Sequence, residues 1–502
     1  MKLFKYSLLL KKYCIQILTV IFLMVSFLAN ARDYYVATNG IDTNDGLTLQ
    51  TPYKTFTKAY GMVVAGDRIL VRSGTYVHGS TVTLSKSGTA ALPIKFEGYN
   101  GERPLFDFST TTSGKRGFTL SGSYWLIKGI DVCKAGDNGM SISGAYNTID
   151  FCSFYDNEDS GLQLSGKAHD NKILNCDSYW NADPPDYADA DGFAVKMDVG
   201  SNNYFYGCRA WLNCDDGWDG YLRGADDVTT VVENCWTWKN GYLKDGITDP
   251  GSQANGNGFK MGGSDDKLLK HNFTVKNCLA FDNKAKGFDQ NNNKGTMIVY
   301  NGTSIKNKGN NYSFPSALAT GKTCTITNCV NFTGNLSIGS FVSEKTNSWL
   351  VNTVITSSDF VSIDTTGVSG PRGIDGSLPN INFMRLSATS KLINIGTDVG
   401  LPFAGSAPDL GAFEYGFTSG LSEKPVQKDL TAIFSNEILS ISIDNQFNDL
   451  ATVKFYNLSG KMVLNSFFDN NETKINCSTL QSGFYILEIS FGKKHFVSKI
   501  IK

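Results

Sequence analysis

Residues 208–220 read Cys-Arg-Ala-Trp-Leu-Asn-Cys-Asp-Asp-Gly-Trp-Asp-Gly, and the spacing inside this stretch recurs along the chain. Five cysteines are each followed five positions later by an asparagine: Cys152/Asn157, Cys176/Asn181, Cys208/Asn213, Cys235/Asn240 and Cys278/Asn283. Short β-prone runs, Asn/Gly turns and no helical periodicity make this repeat typical of a right-handed parallel β-helix. Equivalent side chains of successive coils then form ladders with neighbours about 4.8 Å apart.

A glycine followed by an apolar residue marks the same turn in every copy. In three copies it follows the asparagine by four residues, at Gly161-Leu162, Gly217-Trp218 and Gly287-Phe288. In the other two copies it comes later, at Gly192-Phe193 and Gly258-Phe259. The extra residues, 182–190 and 241–257, are predicted to be loops that leave the coil.

The composition agrees with turn-rich β structure. Of 502 residues, 41% are apolar, 12% aromatic and 19% charged, with 51 glycines and a formal net charge of −1. These values exclude a disordered chain and a coiled coil, and they provide no basic surface for nucleic acid. The cysteine column is interpreted as buried packing inside the coils. Ten of the eleven cysteines lie after residue 31, and disulfides between them are an alternative interpretation.

Both ends of the chain differ from the middle. Lys2, Lys5, Lys11 and Lys12 precede an apolar run over 15–28 and the sequence Ala-Asn-Ala at 29–31. This pattern predicts a secretory signal peptide over 1–31, too short for a stable membrane span. The predicted domains are a β-helix over 32–415, a linker over 416–430 and a small C-terminal β-sandwich over 431–502.

Two segments are predicted to close the solenoid. Helical spacing of Tyr53, Phe56, Tyr60 and Val63, with Thr51 placed as the N-cap, predicts a helical cap at the N-terminal end. The segment 407–415 is expected to close the last coil.

Alignment on the glycines predicts which side chains meet. The residues just before glycine are Ser160, Asp191, Asp216, Asn257 and Lys286, and those two after it are Gln163, Ala194, Asp219, Lys260 and Asp289. Asp191 is therefore expected one coil from Asp216, with Asp215 and Asp219 on the same turn, and Lys260 directly over Asp219.

Four carboxylates in so small a volume repel one another unless a cation binds between them. Asp-Asp-Gly alone is an ordinary turn signature, but Asp191 and Asp219 in the same register favour a metal site. Oxygen ligands suit Ca²⁺, which takes about 6–8 of them. Asp189 is an alternative to Asp191. Zinc is disfavoured because no histidine lies nearby in the sequence. Lys260, beside such a site, is a candidate base.

Three motifs carry a resemblance to polysaccharide lyase family 9, the calcium-dependent pectate and rhamnogalacturonan lyases. They are Asp-Ala-Asp-Gly-Phe-Ala-Val-Lys at 189–196, Asn-Cys-Asp-Asp-Gly-Trp-Asp-Gly at 213–220 and Asn-Gly-Asn-Gly-Phe-Lys-Met-Gly-Gly at 255–263. The resemblance implies calcium ligands at Asp191, Asp215, Asp216 and Asp219 and a Brønsted base at Lys260. It further implies β-elimination on an acidic plant polysaccharide, and Arg223, Lys196 and Lys244 are available to pair with its uronates.

Several alternatives remain open from the sequence. The substrate is either polygalacturonate, the first choice, or rhamnogalacturonan I. A polygalacturonase-like hydrolase would use Asp215 and Asp216 as acid and base, but the Gly-His-Gly and Arg-Ile-Lys motifs of that family are absent. A non-catalytic β-helix adhesin or glycan-binding protein would not need a lysine above an acidic metal site.

The C-terminal residues resemble the sorting domain of the type IX secretion system of Bacteroidetes. The matching features are Tyr-Asn-Leu-Ser-Gly-Lys at 456–461, Gly-Phe-Tyr at 483–485 and the lysine-rich end. The alternative is a small carbohydrate-binding β-sandwich. The resemblance implies export to the cell surface or medium, with the secretion machinery as partner. Separately, we expect the protein to be a monomer.

Overall fold

The computed structural model describes residues 31–351, 354–416 and, with short gaps, 430–501. The predicted signal peptide and linker lie almost wholly outside the described residues. The chain divides into two compact units, Met1–Phe417 (the β-helix unit) and Thr418–Lys502 (the C-terminal unit). Among the described residues, no helix has the length and apolar character needed to cross a membrane.

The β-helix unit consists of three parallel sheets, and a full coil contributes one strand to each. The described strands of the first sheet are β1 (Asp33–Val36), β2 (Arg68–Val71), β5 (Ile94–Gly98), β8 (Trp125–Lys128), β11 (Thr148–Asp150), β14 (Lys172–Leu174), β17 (Asn203–Tyr206), β20 (Val228–Glu233), β23 (His271–Lys276), β26 (Met297–Tyr300), β29 (Cys324–Thr327) and β32 (Val342–Lys345).

The second sheet follows the first around each coil. Its described strands are β3 (Gly74–Val77), β6 (Pro104–Asp107), β9 (Asp131–Cys133), β12 (Ser153–Tyr155), β15 (Asp177–Tyr179), β18 (Arg209–Trp211), β21 (Trp236–Trp238), β24 (Leu279–Phe281), β27 (Thr303–Ile305) and β30 (Val330–Phe332).

The third sheet completes the coil and carries the predicted site. Its described strands are β4 (Val82–Leu84), β7 (Phe118–Leu120), β10 (Met140–Ile142), β13 (Leu162–Leu164), β16 (Phe193–Val195), β19 (Trp218–Asp219), β22 (Phe259–Lys260), β25 (Phe288–Asp289), β28 (Asn310–Phe314) and β31 (Asn335–Ile338).

The repeat folds this way because each motif position has a conformational task. The residue before each of the five cysteines has positive φ, as at Asn175, Gly207 and Asn234, and turns the chain sharply from the first sheet into the second. Asn and Gly tolerate this left-handed conformation best. All five cysteines are fully buried and form no disulfide in the described structure. The packing interpretation of the column is therefore confirmed.

The asparagines form a ladder inside the turn between the second and third sheets. Asn213 Nδ2 donates to Asn240 Oδ1 at 3.0 Å, while Asn213 Oδ1 accepts from Asn181 Nδ2 at 2.8 Å. The same bond links Asn157 to Asn181 and Asn240 to Asn283. Each buried amide thus forms a hydrogen bond with the asparagine of the next coil, and these bonds fix the register of neighbouring turns.

The N-terminal cap is helix α1 (Phe56–Met62), with Phe56 and Ala59 buried in the core. The predicted N-cap was wrong: Thr55, not Thr51, accepts the backbone N–H of Lys58. The residues before the helix are extended because Tyr53 pairs with Val36 of β1 in a parallel bridge.

The segment from 354 to 416 does not close the last coil, contrary to the prediction for 407–415. Leu410 and Phe413 pack with Trp236 and Phe281 on the outer face of the second sheet, and the Ala412 N–H donates to Thr303 Oγ1 at 2.9 Å. The apolar outer residues of that sheet require this cover. The described chain also has two short 3₁₀ turns, Tyr99–Gly101 and Ser357–Asp359.

The C-terminal unit contains two antiparallel sheets, as predicted for a small β-sandwich. The described strands are β33 (Leu430–Ser435), β34 (Ile438–Ile443) and β37 (Glu472–Asn476) in one sheet, and β35 (Ala451–Asn457), β36 (Met462–Phe468), β38 (Phe484–Phe491) and β39 (Lys494–Ile501) in the other. Both sheets contribute side chains, including Leu439 and Phe455, to one core. The residue-level domain boundaries remain predictions.

Candidate active site

The parallel register brings the predicted residues together on the third sheet. Asp219 of β19 lies directly opposite Lys260 of β22, and the Asp216 N–H donates to Asp191 Oδ1 at 3.1 Å from the neighbouring coil. One oxygen each of Asp191, Asp215 and Asp216 lie within 4.8 Å of one another. All three side chains are buried. Asp189, the alternative to Asp191, is exposed.

The long loop over 241–257 orients two of these carboxylates. The Asn255 N–H donates to Asp215 Oδ1 at 2.6 Å. Asn257 donates its backbone N–H and its side-chain Nδ2 to Asp216 Oδ1, at 2.6 and 2.8 Å. The loop therefore fixes each carboxylate through its Oδ1, and Asp216 Oδ2 lies 3.0 Å from Lys260 Nζ.

The shorter loop over 182–190 is organised by Asp183. Its carboxylate accepts the backbone N–H groups of Ala188, Asp189 and Ala190 at 3.0–3.2 Å, and the thiol of Cys214 donates to it at 3.0 Å. These bonds fix the backbone that leads directly into Asp191.

Two lysines pair with the acidic cluster. Lys260 Nζ lies 3.0 Å from Asp216 Oδ2 and 3.3 Å from Asp219 Oδ1. Lys196 Nζ lies 2.8 Å from Asp191 Oδ2 and 3.6 Å from Asp219 Oδ2. Asp219 joins the cluster through these two ammonium groups, one on each side.

Burial and mutual repulsion govern the protonation of the acids. Burial raises the pKa of Asp191, Asp215 and Asp216 above the ordinary carboxyl value, and the neighbouring carboxylates add to the shift. Burial also acts to raise the pKa of Asp219, but Lys260 and Lys196 outweigh it and the pKa lies below its usual value. Burial thus favours the neutral form of Asp191, Asp215 and Asp216, whereas the two lysines favour the ionised form of Asp219.

The pKa of Lys260 is controlled by the opposite balance. Burial lowers it, but Asp216 and Asp219 outweigh burial and hold the pKa well above the usual lysine value. The carboxylate partners thus favour the ammonium form of Lys260.

The donor set fits a calcium ion. It consists of buried carboxylate oxygens, which Ca²⁺ prefers, and Asp191, Asp215 and Asp216 bring one oxygen each within 4.8 Å of one another. A bound cation would relieve the repulsion among these carboxylates. Asp191, Asp215, Asp216 and Asp219 are the residues that would hold the ion.

The remaining predicted residues lie in different places. Arg223 is at the rim, with a side chain 56% exposed that pairs with Asp265 at 2.9 Å. Lys244 pairs with Asp156 at 2.8 Å and lies over the Trp180 ring, in a pocket of about 320 Å³ between the two loops. Lys196 is buried against the aspartates, so its ammonium faces the acidic cluster.

The comparisons with known proteins agree with this fold. The family model described as "Pel9A-like, right handed beta helix region" matches residues 34–338. The chain belongs to the Pel9A-like β-helix family. A second model, for the C-terminal sorting domain of a secretion system, matches residues 435–502 and confirms the resemblance of this region to type IX sorting domains. The chain is a secreted or cell-surface protein.

Relatives of this Pel9A-like chain cover most of the β-helix unit. It is 40% identical over 403 residues to pectate lyase L of Dickeya chrysanthemi, spanning 78% of this chain and 92% of that protein. Pectate lyase L of Paenibacillus polymyxa is 38% identical over 396 residues, spanning 74% of this chain and 85% of the relative.

Two solved structures share the fold. The crystal structure of pectate lyase Pel9A aligns with a TM-score of 0.72 at 39% identity, covering 78% of this chain and 98% of that one. A rhamnogalacturonan lyase aligns with a TM-score of 0.61 at 26% identity, covering 71% and 97%. Membership of this Pel9A-like family argues against the hydrolase and adhesin alternatives.

Sequence reasoning missed the groups that hold the Pel9A-like site together. Asn257 and Ser160 occupy the position just before the glycine, as Asp191 and Asp216 do. Ser160 Oγ lies 3.2 Å from Asp191 Oδ2. This shared position could have indicated that both residues contact the acidic cluster. Asp183 and Asn255 lie in the two loops that leave the repeat, where no periodic signal marks them.

Proposed function

We propose that this polysaccharide lyase cleaves polygalacturonate by calcium-dependent β-elimination. Asp191, Asp215, Asp216 and Asp219 are the proposed calcium ligands, and Lys260 is the proposed base. The observation that carries the proposal is the position of Lys260 Nζ, 3.0 Å from Asp216 and 3.3 Å from Asp219. We expect the uronate carboxylate to bind at the aspartate cluster, beside this lysine.

The reaction removes the proton on C5 of a uronate, breaks the C4–O bond to the next sugar and forms a C4=C5 double bond. The departing oxygen takes a proton from water. That C5 proton is weakly acidic, so the developing charge on the uronate carboxylate must be stabilised. Calcium, when bound, supplies that stabilisation and neutralises the aspartates.

Lys260 must be neutral to act as base, whereas free lysine has a pKa of about 10.4. Its carboxylate partners raise the pKa further. When the charge of the four aspartates is neutralised, this effect is removed and burial lowers the pKa of Lys260. Lys260 is thus expected to stay protonated until a cation binds to the aspartates.

Arg223 is proposed to bind a neighbouring uronate. Its guanidinium is exposed beside the Tyr221 ring, and the Tyr221 N–H donates to Asp219 Oδ1 at 3.0 Å. Arg223 therefore lies on the same short segment as Asp219, a proposed metal ligand. Lys244 is a more remote candidate, on the loop that also carries Asn255 and Asn257.

Rhamnogalacturonan I is the second candidate substrate, because a rhamnogalacturonan lyase shares the fold at 26% identity. The experiment is digestion of purified polygalacturonate and rhamnogalacturonan I with calcium, followed by mass spectrometry of the products. We expect unsaturated oligogalacturonates from the first substrate. Saturated products would contradict elimination, and unsaturated products from the second substrate alone would assign the other specificity.

The C-terminal unit is proposed to be recognised by the type IX secretion machinery. Its match to a secretion sorting domain supports this role. Catalysis is assigned to the β-helix unit alone, and the enzyme is proposed to act as a monomer.

A further inference from the structure

Lys196 occupies a position that substrate binding does not explain. It directly follows strand β16, and its side chain is only 4% exposed. Its Nζ lies 2.8 Å from Asp191 Oδ2, 3.6 Å from Asp219 Oδ2 and 3.4 Å from the carbonyl oxygen of Asp189. A uronate would have to displace buried carboxylates to reach this ammonium.

The two lysines of the cluster differ in where they lie. Lys260 pairs with Asp216 and Asp219, and its Nζ lies 5.5 Å from the centroid of the partly exposed Tyr221 ring. Lys196 lies on the opposite side of Asp219 and joins it to Asp191, a residue of the preceding coil that is fully buried. One ammonium thus ties together two carboxylates that would otherwise repel each other.

Neutral N–H and O–H groups also orient the carboxylates of the cluster, beside the two lysines. Asp215 and Asp216 accept N–H groups from the 241–257 loop. Asp191 accepts the Asp216 N–H on Oδ1, and its Oδ2 is held by Ser160 and Lys196. Lys196 is the cationic member of this supporting set and reaches across two coils.

We propose that Lys196 is a positioning residue for the metal site: its ammonium group holds Asp191 and Asp219 in the arrangement that binds a divalent cation. This inference rests on the proposed calcium site. Groups that orient metal ligands typically contribute about 10–100-fold to metal affinity. Coulomb repulsion between the ammonium and the ion acts in the opposite direction.

The two effects predict opposite signs, which makes the proposal testable. If Lys196 mainly repels the ion, a neutral replacement of similar length binds calcium more tightly. If it mainly positions the ligands, the same replacement binds calcium more weakly. Positioning is expected to dominate because Asp191 is buried and Lys196 is its charged partner.

The experiment is isothermal titration of the calcium-free full chain with Ca²⁺ alone. The Kd of Lys196→Met is expected to rise by about 10–100-fold, while Lys196→Arg, which keeps charge and donors, stays close to wild type. Lys286→Met, a neighbouring lysine paired with Asp289, is the matched control and should bind as wild type does.

A Kd for Lys196→Met equal to or lower than that of wild type would overturn the inference while leaving the calcium site intact. No binding to wild type would instead refute the proposed calcium site. Should Lys196→Met fail to fold, Lys196→Gln retains an N–H donor without the charge. Its Kd is expected between those of the Met and Arg variants, and a wild-type Kd would again overturn the proposal.

Discussion

At the scale of single residues, Lys260 combines burial with charge pairing. Its side chain is 11% exposed and contacts two aspartates, so replacing it removes two buried charge pairs. The pairing also explains how one lysine can be an ammonium in the free site and a base when the aspartates are neutralised.

Lys260→Ala is expected to lower kcat by about 10²–10⁴-fold or more, because general-base catalysis is lost. Calcium binding should persist, since the change removes a positive charge beside the site. Steady-state rates on polygalacturonate and calcium titration measure the two properties. Lys286→Ala, in the next coil, is the control.

Asp216→Ala separates the metal role from the base role. It removes a proposed ligand, so raised calcium should restore part of its activity, whereas no calcium concentration should restore Lys260→Ala. If Lys260→Ala retained more than a small residual activity, the base would have to be another group.

At the scale of elements, the repeat predicted the register but not the supporting contacts. Asp219 lies opposite Lys260 because each is the second residue after the glycine of its coil, and equivalent residues of neighbouring coils pair. The loop contacts of Asn255 and Asp183 were not predictable, because the loops leave the repeat. The burial of Lys196 depends on packing between coils, and a lysine carries no sequence signal of it.

The asparagine ladder is expected to stabilise the β-helix directly. Asn213→Ala leaves the Asn181 amide without its acceptor, and a buried unsatisfied polar group costs about 1–3 kcal/mol. Urea unfolding should show a loss of at least this size. Asn382→Ala, at an exposed position, should leave stability nearly unchanged; an equal loss in both variants would contradict the ladder's role.

The buried His271, at the start of β23 in the first sheet, predicts that the β-helix is less stable in acid. Its ring bonds the Gly220 carbonyl and Thr230, each at 2.8 Å, and burial lowers its pKa to about 4. The neutral ring stabilises the fold fully above its unfolded pKa of about 6.5. That stability is lost as pH falls toward 4, by up to about 3 kcal/mol at 1.36 kcal/mol per unit.

Urea unfolding of wild type and His271→Gln at pH 7 and pH 5 measures this effect. The variant should lose less stability than wild type between the two pH values. His169→Gln, at a more exposed histidine, should behave as wild type does. Equal losses in wild type and His271→Gln would exclude the histidine as the cause.

At the scale of the whole molecule, the sequence was sufficient to predict the β-helix, the helical cap and the two-sheet C-terminal unit. It misplaced the N-cap because Tyr53 pairs with β1 before α1 begins. It misplaced the segment 407–415 because the apolar outer face of the second sheet, rather than the last coil, requires its cover. Such lateral packing depends on contacts distant in sequence.

Removal of the C-terminal unit is expected to leave catalysis intact. The β-helix unit has its own core and contains every proposed ligand and the base. A chain ending at Gly416 should retain the circular dichroism of the β-helix and the wild-type kcat/KM on polygalacturonate. Loss of activity in a folded truncated chain would place part of the function in the C-terminal unit.

The most direct test of calcium-dependent elimination is the ultraviolet absorbance of the unsaturated product during digestion of polygalacturonate. The purified chain is assayed with calcium, with excess chelator, and after calcium is restored. We predict rising absorbance with calcium, none with chelator and full recovery on restoration. Undiminished absorbance in excess chelator would contradict the metal site, and sugar release without absorbance would contradict elimination.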